Sequence, residues 1–141
     1  MRARPALLLV AAAIVLPACG SSDPSAESVV RAWSQALNTD DNERAADLFA
    51  PGAEVIQAGQ VLRLRDHAEA VLWNTHLPCA GRIVSIKDAG QTVTATFELG
   101  DRPSSHCDGP GQRATAIFRV VKGKIVLWHQ TTTSSEPLPE V

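Results

Sequence analysis

Few side chains in this sequence can do chemistry, and their spacing narrows what they can do. Four histidines stand at His67, His76, His106 and His129. Imidazole exchanges its proton near neutral pH, so each is a candidate general base. His129 follows Ile125 and Leu127 at every second position, and an extended segment would set all three on one face. With Ile125 directed into a core, His129 would face any hollow there. His76 falls near the end of a helical stretch, where the helix dipole favours a cationic imidazole. His129 and His76 are therefore the candidate catalytic residues. The plainer reading makes the first a structural histidine at a strand end and the second a helix-end charge. His106 reads as an exposed loop residue and His67 as a solvated first-turn residue. Cys79 and Cys107 lie 28 residues apart. With His76 and His106 they could form a Cys2His2 metal set, but neighbouring residues rarely share one ion and the second half lacks the usual spacer. A redox-active pair would carry a C-x-x-C spacing, which is absent. No metal site is assigned and no cofactor is implied. The sequence has no Gly-rich phosphate loop, H-E-x-x-H, G-x-S-x-G or EF-hand run.

The cysteines depend on the compartment, and the N-terminus addresses it. Arg2 and Arg4 precede an apolar run from Ala6 to Leu16 that is too short to cross a bilayer. Leu16-Pro17-Ala18-Cys19-Gly20 resembles a bacterial lipobox. The resemblance implies a signal peptide over 1–18, cleavage before Cys19 and a lipid on its sulfur. The product would be exported and lipid-anchored to the extracytoplasmic face of the cell membrane, its bilayer partner reached through Cys19. Residues 19–24 then form the lipidated cysteine and a short polar tether. Without Arg2 and Arg4 the chain carries 11 basic against 15 acidic side chains, a net of −4. That surface has no polybasic patch, so lipid rather than charge would hold it. Outside the reducing cytosol, Cys79 and Cys107 are expected to form a disulfide.

Length and composition bound the rest. The chain has 141 residues, 45% hydrophobic and 20% charged, with a formal net charge of −2. These values fit one globular domain, exclude a disordered chain and give no basic face for nucleic acid. Three Cys, nine Gly and nine Pro exclude a knottin-like or collagen-like chain.

The periodicities predict the elements that must position these residues. Ser25 to Asn38 reads as a helix behind Asp23-Pro24, with Val30, Trp33 and Leu37 on one face. A second short helix spans Asn42 to Phe49, capped at Asp40 with Glu43 three residues on, and ends at Pro51-Gly52. Short strands follow at Ala53 to Ile56 and Val61 to Leu64. A third helix opens at Asp66 and stops before Pro78. Four strands come last: Arg82 to Asp88, Thr92 to Leu99, Gly111 to Val121 and Lys124 to Thr131. Ala89-Gly90 and Lys122-Gly123 serve as hairpin turns. Helices first and strands last make an α+β pattern with helices over one face of a curved antiparallel sheet. In the first hairpin the start of one strand lies beside the end of the next, which brings Cys79 and Cys107 to one end of the sheet. The domain is expected over 25–131 and a flexible tail over 132–141.

Three stretches carry a family resemblance: Trp33 to Asp40 leading into Ala46 to Ala53, Arg65-Asp66-His67-Ala68, and Ala116 to Val126 with its Gly-Lys turn. In this order the sequence resembles the NTF2-like, or SnoaL-like, superfamily. That likeness implies a cone: a curved antiparallel sheet packed against three N-terminal helices around a pocket, with a possible homodimer through the sheet. It does not imply a reaction, because one fold hosts many functions. A ligand pocket on this scaffold would draw on Trp33, Trp73, His76, Phe97, Phe118 and His129. The expected function is a membrane-anchored, non-catalytic module binding a small apolar ligand or an envelope protein. The alternatives are a SnoaL-like isomerase or cyclase with a pocket histidine as base, and a dimeric scaffold module.

Overall fold

The computed structural model describes residue 14 and residues 22–134. Most of the expected signal peptide, Cys19 and residues 135–141 lie outside the described residues. The order of elements is α1 (Ala26–Asn38), α2 (Asn42–Asp47), β1 (Phe49–Gln57), β2 (Gln60–Leu64), α3 (His67–His76), β3 (Cys79–Ala89), β4 (Thr92–Asp101), β5 (Arg113–Val121) and β6 (Lys124–Ser134). The six strands form one sheet in the order β2-β1-β6-β5-β4-β3. Strands β3 to β6 are the expected antiparallel meander.

One pairing departs from an antiparallel sheet: β1 runs parallel to β6. The chain crosses from β2 through α3 and three strands before β6 returns beside β1, so β1 and β6 meet as non-consecutive strands. Pro51-Gly52, expected to close the second helix, lies within β1, where the register with β6 is interrupted between Phe49 and Glu54. Proline brings no N–H to a ladder, and Gly52 takes φ +81°, a conformation costly for other residues. The second helix therefore stops at Asp47, and Phe49 belongs to the sheet. At the other end, backbone pairing of β6 continues to Ser134, three residues past the expected end of the domain at Thr131.

Two of the three helix caps differ from the sequence expectation. Ser25 rather than Asp23 caps α1, accepting from Ser28 N–H at 3.1 Å. Asp41 rather than Asp40 caps α2, accepting from Arg44 N–H at 3.1 Å. Asp66 caps α3 as expected, accepting from Glu69 N–H at 2.9 Å. The Lys122-Gly123 turn has both residues at positive φ, +50° and +73°, as the two-residue hairpin turn matched to strand twist requires.

The buried face of α1 (Val29, Val30, Trp33, Leu37) packs on the inner face of the sheet (Val93, Ala95, Phe97, Ala116, Phe118, Val120, Ile125, Trp128). Aromatic rings meet edge-on there, with Trp33 and Phe118 centroids 5.3 Å apart and Trp73 and Trp128 5.0 Å apart, an arrangement that suits the ring quadrupoles. Buried Arg102 ties the loops at one end of the core. Its Nε donates to Asp40 Oδ1 at 2.8 Å, and Nη1 to the carbonyls of Asn74 and Leu77 at 2.6 and 2.9 Å. Its Nη2 donates to Asn42 Oδ1 at 2.5 Å. A buried guanidinium is tolerated because its donors are spent in this way.

Candidate functional site: a neutral cavity at one end of the sheet

A hollow lined by the core opens where β3 begins and β4 ends, and has a volume of about 280 Å³. Trp33 and Leu37 of α1, Phe97 and Leu99 of β4, Ala114 and Ala116 of β5 and Trp128 of β6 form its walls. Small alanines on β5 leave the space that larger residues would fill. Polar atoms come from Ser34, Gln57, Gln112 and Gln130, with Asp108 and the Cys79 side of a disulfide at the lip. Gln57 Nε2 donates to Gln130 Oε1 at 2.8 Å across β1 and β6. Ser34 Oγ donates to Gly81 O at 2.8 Å. Gly81 admits the close approach of β3 to β4, since a Cβ there would stand 2.9 Å from the Phe97 Cβ.

Of the six side chains expected to form the pocket, Trp33 and Phe97 line it. Phe118 is fully buried behind the wall, and Trp73 packs against Phe49 and Trp128 from the other side. Both histidines stand elsewhere. His76 is exposed at the end of α3, its Nδ1 2.8 Å from the Leu72 carbonyl. His129 looks onto a shallow groove beside the β1–β2 turn, lined by Gln57, Ala58, Gly59, Gln60 and Thr131.

A one-residue bulge moves His129 outward. Arg119 pairs with Leu127 but Val120 pairs with Ile125, so Val126 has no partner of its own. The extra residue reverses the alternation of β6. Ile125 still faces the core, but the next inward positions are Trp128 and Gln130 instead of Leu127 and His129. Trp128 is thus the residue the alternation missed, and its pairing with Phe118 and Val55 fixes it on the inner face. Gln112, expected within a strand from Gly111, lies instead on the loop before β5, which begins at Arg113.

The expected disulfide is present between Cys79 and Cys107. It joins the first residue of β3 to the β4–β5 loop, which supplies Asp108, Gly109 and Gln112 to the cavity. Asp108 Oδ1 lies 3.4 Å from Cys79 Sγ, but with both sulfurs oxidised no thiolate stands beside it to ligate an ion. The backbone N–H of Cys107 donates to Asp101 Oδ1 at 2.8 Å; this bond, with His106 nearby, holds the Asp101 carboxyl below its usual value.

Sequence comparison completes the assignment. The profile of the SnoaL-like domain matches residues 30–128. The chain belongs to the SnoaL-like domain family. None of the curated proteins matches it. Solved structures share the fold at low identity. An NTF2-like protein of unknown function from Cytophaga hutchinsonii is 13% identical, with 79% of this chain and 92% of that one covered at a TM-score of 0.65. An NTF2-like protein of unknown function from Burkholderia xenovorans is 19% identical, with 81% and 87% covered and a TM-score of 0.61. A hypothetical protein with a ketosteroid isomerase-like fold from Catenulispora acidiphila, in complex with trimethylamine, is 16% identical, with 74% and 84% covered and a TM-score of 0.58. At these identities the likeness speaks for the fold alone. Within this SnoaL-like domain the hollow presents two indoles, a phenyl ring, aliphatic chains and carboxamides.

Proposed function

We propose that this SnoaL-like domain is a non-catalytic binding module of the cell envelope, held to the membrane by lipid on Cys19, that takes a small neutral ligand into the cavity. One observation carries this reading: among the described residues lining the cavity there is no imidazole, and the single carboxylate, Asp108, is exposed at the lip. Proton transfer next to a carbonyl needs an acid or base within hydrogen-bond reach of the reacting atom. Aromatic and aliphatic walls with a few uncharged polar groups instead suit a neutral ring. A cavity of about 150 Å³ holds a benzene molecule, so one near 280 Å³ holds about a dozen heavy atoms. Among the described residues no helix is long and apolar enough to cross a membrane; the lipobox-like run Leu16 to Gly20 supports attachment through Cys19.

A fragment screen monitored through the indole N–H resonances tests this reading. Neutral ring compounds are expected to shift the Trp33 and Trp128 signals, with no turnover. An isomerase or cyclase reading now passes from the histidines to Asp108. Turnover of a carbonyl substrate that D108N abolishes would replace the binding module with an enzyme, and a screen that moves neither indole signal would remove the ligand site.

A further inference from the structure

The cavity and the start of the domain lie at opposite ends of the sheet. Pro24 rests on the β5–β6 turn, so close that a Cβ on Gly123 would come within 2.9 Å of its Cδ. From that end α1 runs to Asn38, whose Nδ2 donates to Gly81 O at the mouth at 3.2 Å. Strand β6 leaves the same turn at Lys124 and reaches the cavity at Gln130, a run of about 20 Å at roughly 3.3 Å per residue. Strand β3 runs the other way, from Cys79 at the mouth to Ala89 beside the far hairpin. The mouth residues Gln57, Cys79, Asp108, Gln112 and Gln130 thus share one end, and Pro24, Gly90 and Gly123 the other.

Five residue steps separate Cys19 from Pro24, which reach at most about 17 Å when fully extended. That is shorter than the run from the turn to the mouth, so a membrane that holds Cys19 meets the turn end more readily than the mouth. The same end carries all three lysines of the chain, Lys87, Lys122 and Lys124, each exposed. Asp23, Asp47 and Asp88 share that end and Lys124 Nζ donates to the Asp47 carbonyl, so the lysines bias orientation while the lipid supplies the hold.

We propose that the β5–β6 turn end faces the host bilayer, its lysines toward anionic headgroups, and that the cavity opens away from it, so that the ligand arrives from the aqueous phase and not from the acyl layer of the host membrane. This rests on the anchored-module reading above. It makes the occupant a water-borne neutral compound and leaves the mouth free for exchange with soluble carriers.

The test uses the full chain made with its own leader in a bacterium, isotope-labelled and placed in nanodiscs of phosphatidylethanolamine and phosphatidylglycerol with a gadolinium-chelate headgroup lipid. Amides of Gly90, Gln91, Lys122 and Gly123 are expected to relax at least fivefold faster through the gadolinium than those of Gly109, Gly111 and Gln112. K122Q/K124Q should reduce that contrast about twofold. Equal or stronger relaxation at Gly109 to Gln112 overturns the orientation, and an unchanged contrast in K122Q/K124Q overturns the part given to the lysines. Recovery of the protein without diacylglycerol on Cys19, or without discs, is a separate result that removes the anchored reading and the orientation with it.

Discussion

Trp33 and Asn74, 41 residues apart, meet in the interior of the domain, the indole N–H donating to the amide Oδ1 at 2.9 Å. Asn74 is wholly buried, and its Nδ2 donates in turn to the Ala70 carbonyl at 2.8 Å. The pair fixes α3 against α1 and sets the ring of Trp33 as a cavity wall. N74A would strand a buried indole donor and leave a small void, which costs about 2–3 kcal/mol. Urea unfolding monitored by circular dichroism measures it, and W33F/N74A should cost less than the sum of the single changes.

Arg102 should be the most sensitive charged residue. R102A leaves Asp40, Asn42 and the carbonyls of Asn74 and Leu77 without their shared partner. Removing one member of a buried charge network costs about 3–5 kcal/mol. R102K keeps the charge but not the fork that reaches four acceptors, so it should rescue little of the loss. Denaturant midpoints of the three proteins decide the point.

The Cys79–Cys107 bridge closes a 28-residue separation. Chain entropy assigns such a loop about 3–4 kcal/mol. C79S/C107S should therefore unfold at lower urea than the oxidised protein. Hydrogen exchange should rise first at Cys107 to Gln112, the part of the lip that the bridge pins to β3.

His67 gives stability a pH dependence of defined sign. Its Nε2 lies 2.7 Å from Glu43 Oε2, and its Nδ1 3.4 Å from Asp47 Oδ1. The hydrogen bond to Glu43, together with the charges of Asp47 and Asp66, raises the imidazole above its ordinary value. A raised folded-state value contributes stability that is fully present below the unfolded value of about 6.5 and is lost as pH rises through the folded one. The urea midpoint should fall between pH 5.5 and pH 8.5 in the natural protein, and by less in H67Q. A nuclear magnetic resonance titration of the ring gives the folded value directly.

Trp128 and His129 separate the cavity from the chemistry once expected of it. W128A should cost about 3–5 kcal/mol and abolish ligand-induced shifts at Trp33. H129A, on the outer groove, should stay within about 0.5 kcal/mol and bind as the natural protein does. Calorimetric unfolding and the fragment titration report both numbers.

Much of the architecture was legible because hydrophobic period and turn chemistry agree over long stretches. Val93, Ala95, Phe97 and Leu99 alternate cleanly, and Lys122-Gly123 is a strong hairpin signal, so β4 and the β5–β6 turn fall where the pattern sets them. The disulfide was legible from the expected export and the strand order together. The features that failed are those a period cannot carry. Val126 inserts one residue into β6, and no local signal marks it, because Ile125, Val126 and Leu127 are all apolar and fit either face. The parallel β1–β6 pairing depends on contacts more than 70 residues apart in sequence. Arg102 reads as an ordinary loop arginine until the fold encloses it. The cavity followed the same pattern: Trp33 and Phe97 came from the amphipathic faces, whereas the glutamines came from a bulged strand, a strand end and a loop.

The bulge at Val126 decides more than the shape of one strand. Absorbing that residue into regular pairing, with Val126 in place of Leu127 opposite Arg119, would slide the rest of β6 by one step, turning the indole of Trp128 outward and the imidazole of His129 into the hollow. On this scaffold a receptor for an uncharged guest and a vessel with a titrating wall are one backbone residue apart, with every side chain for either already encoded.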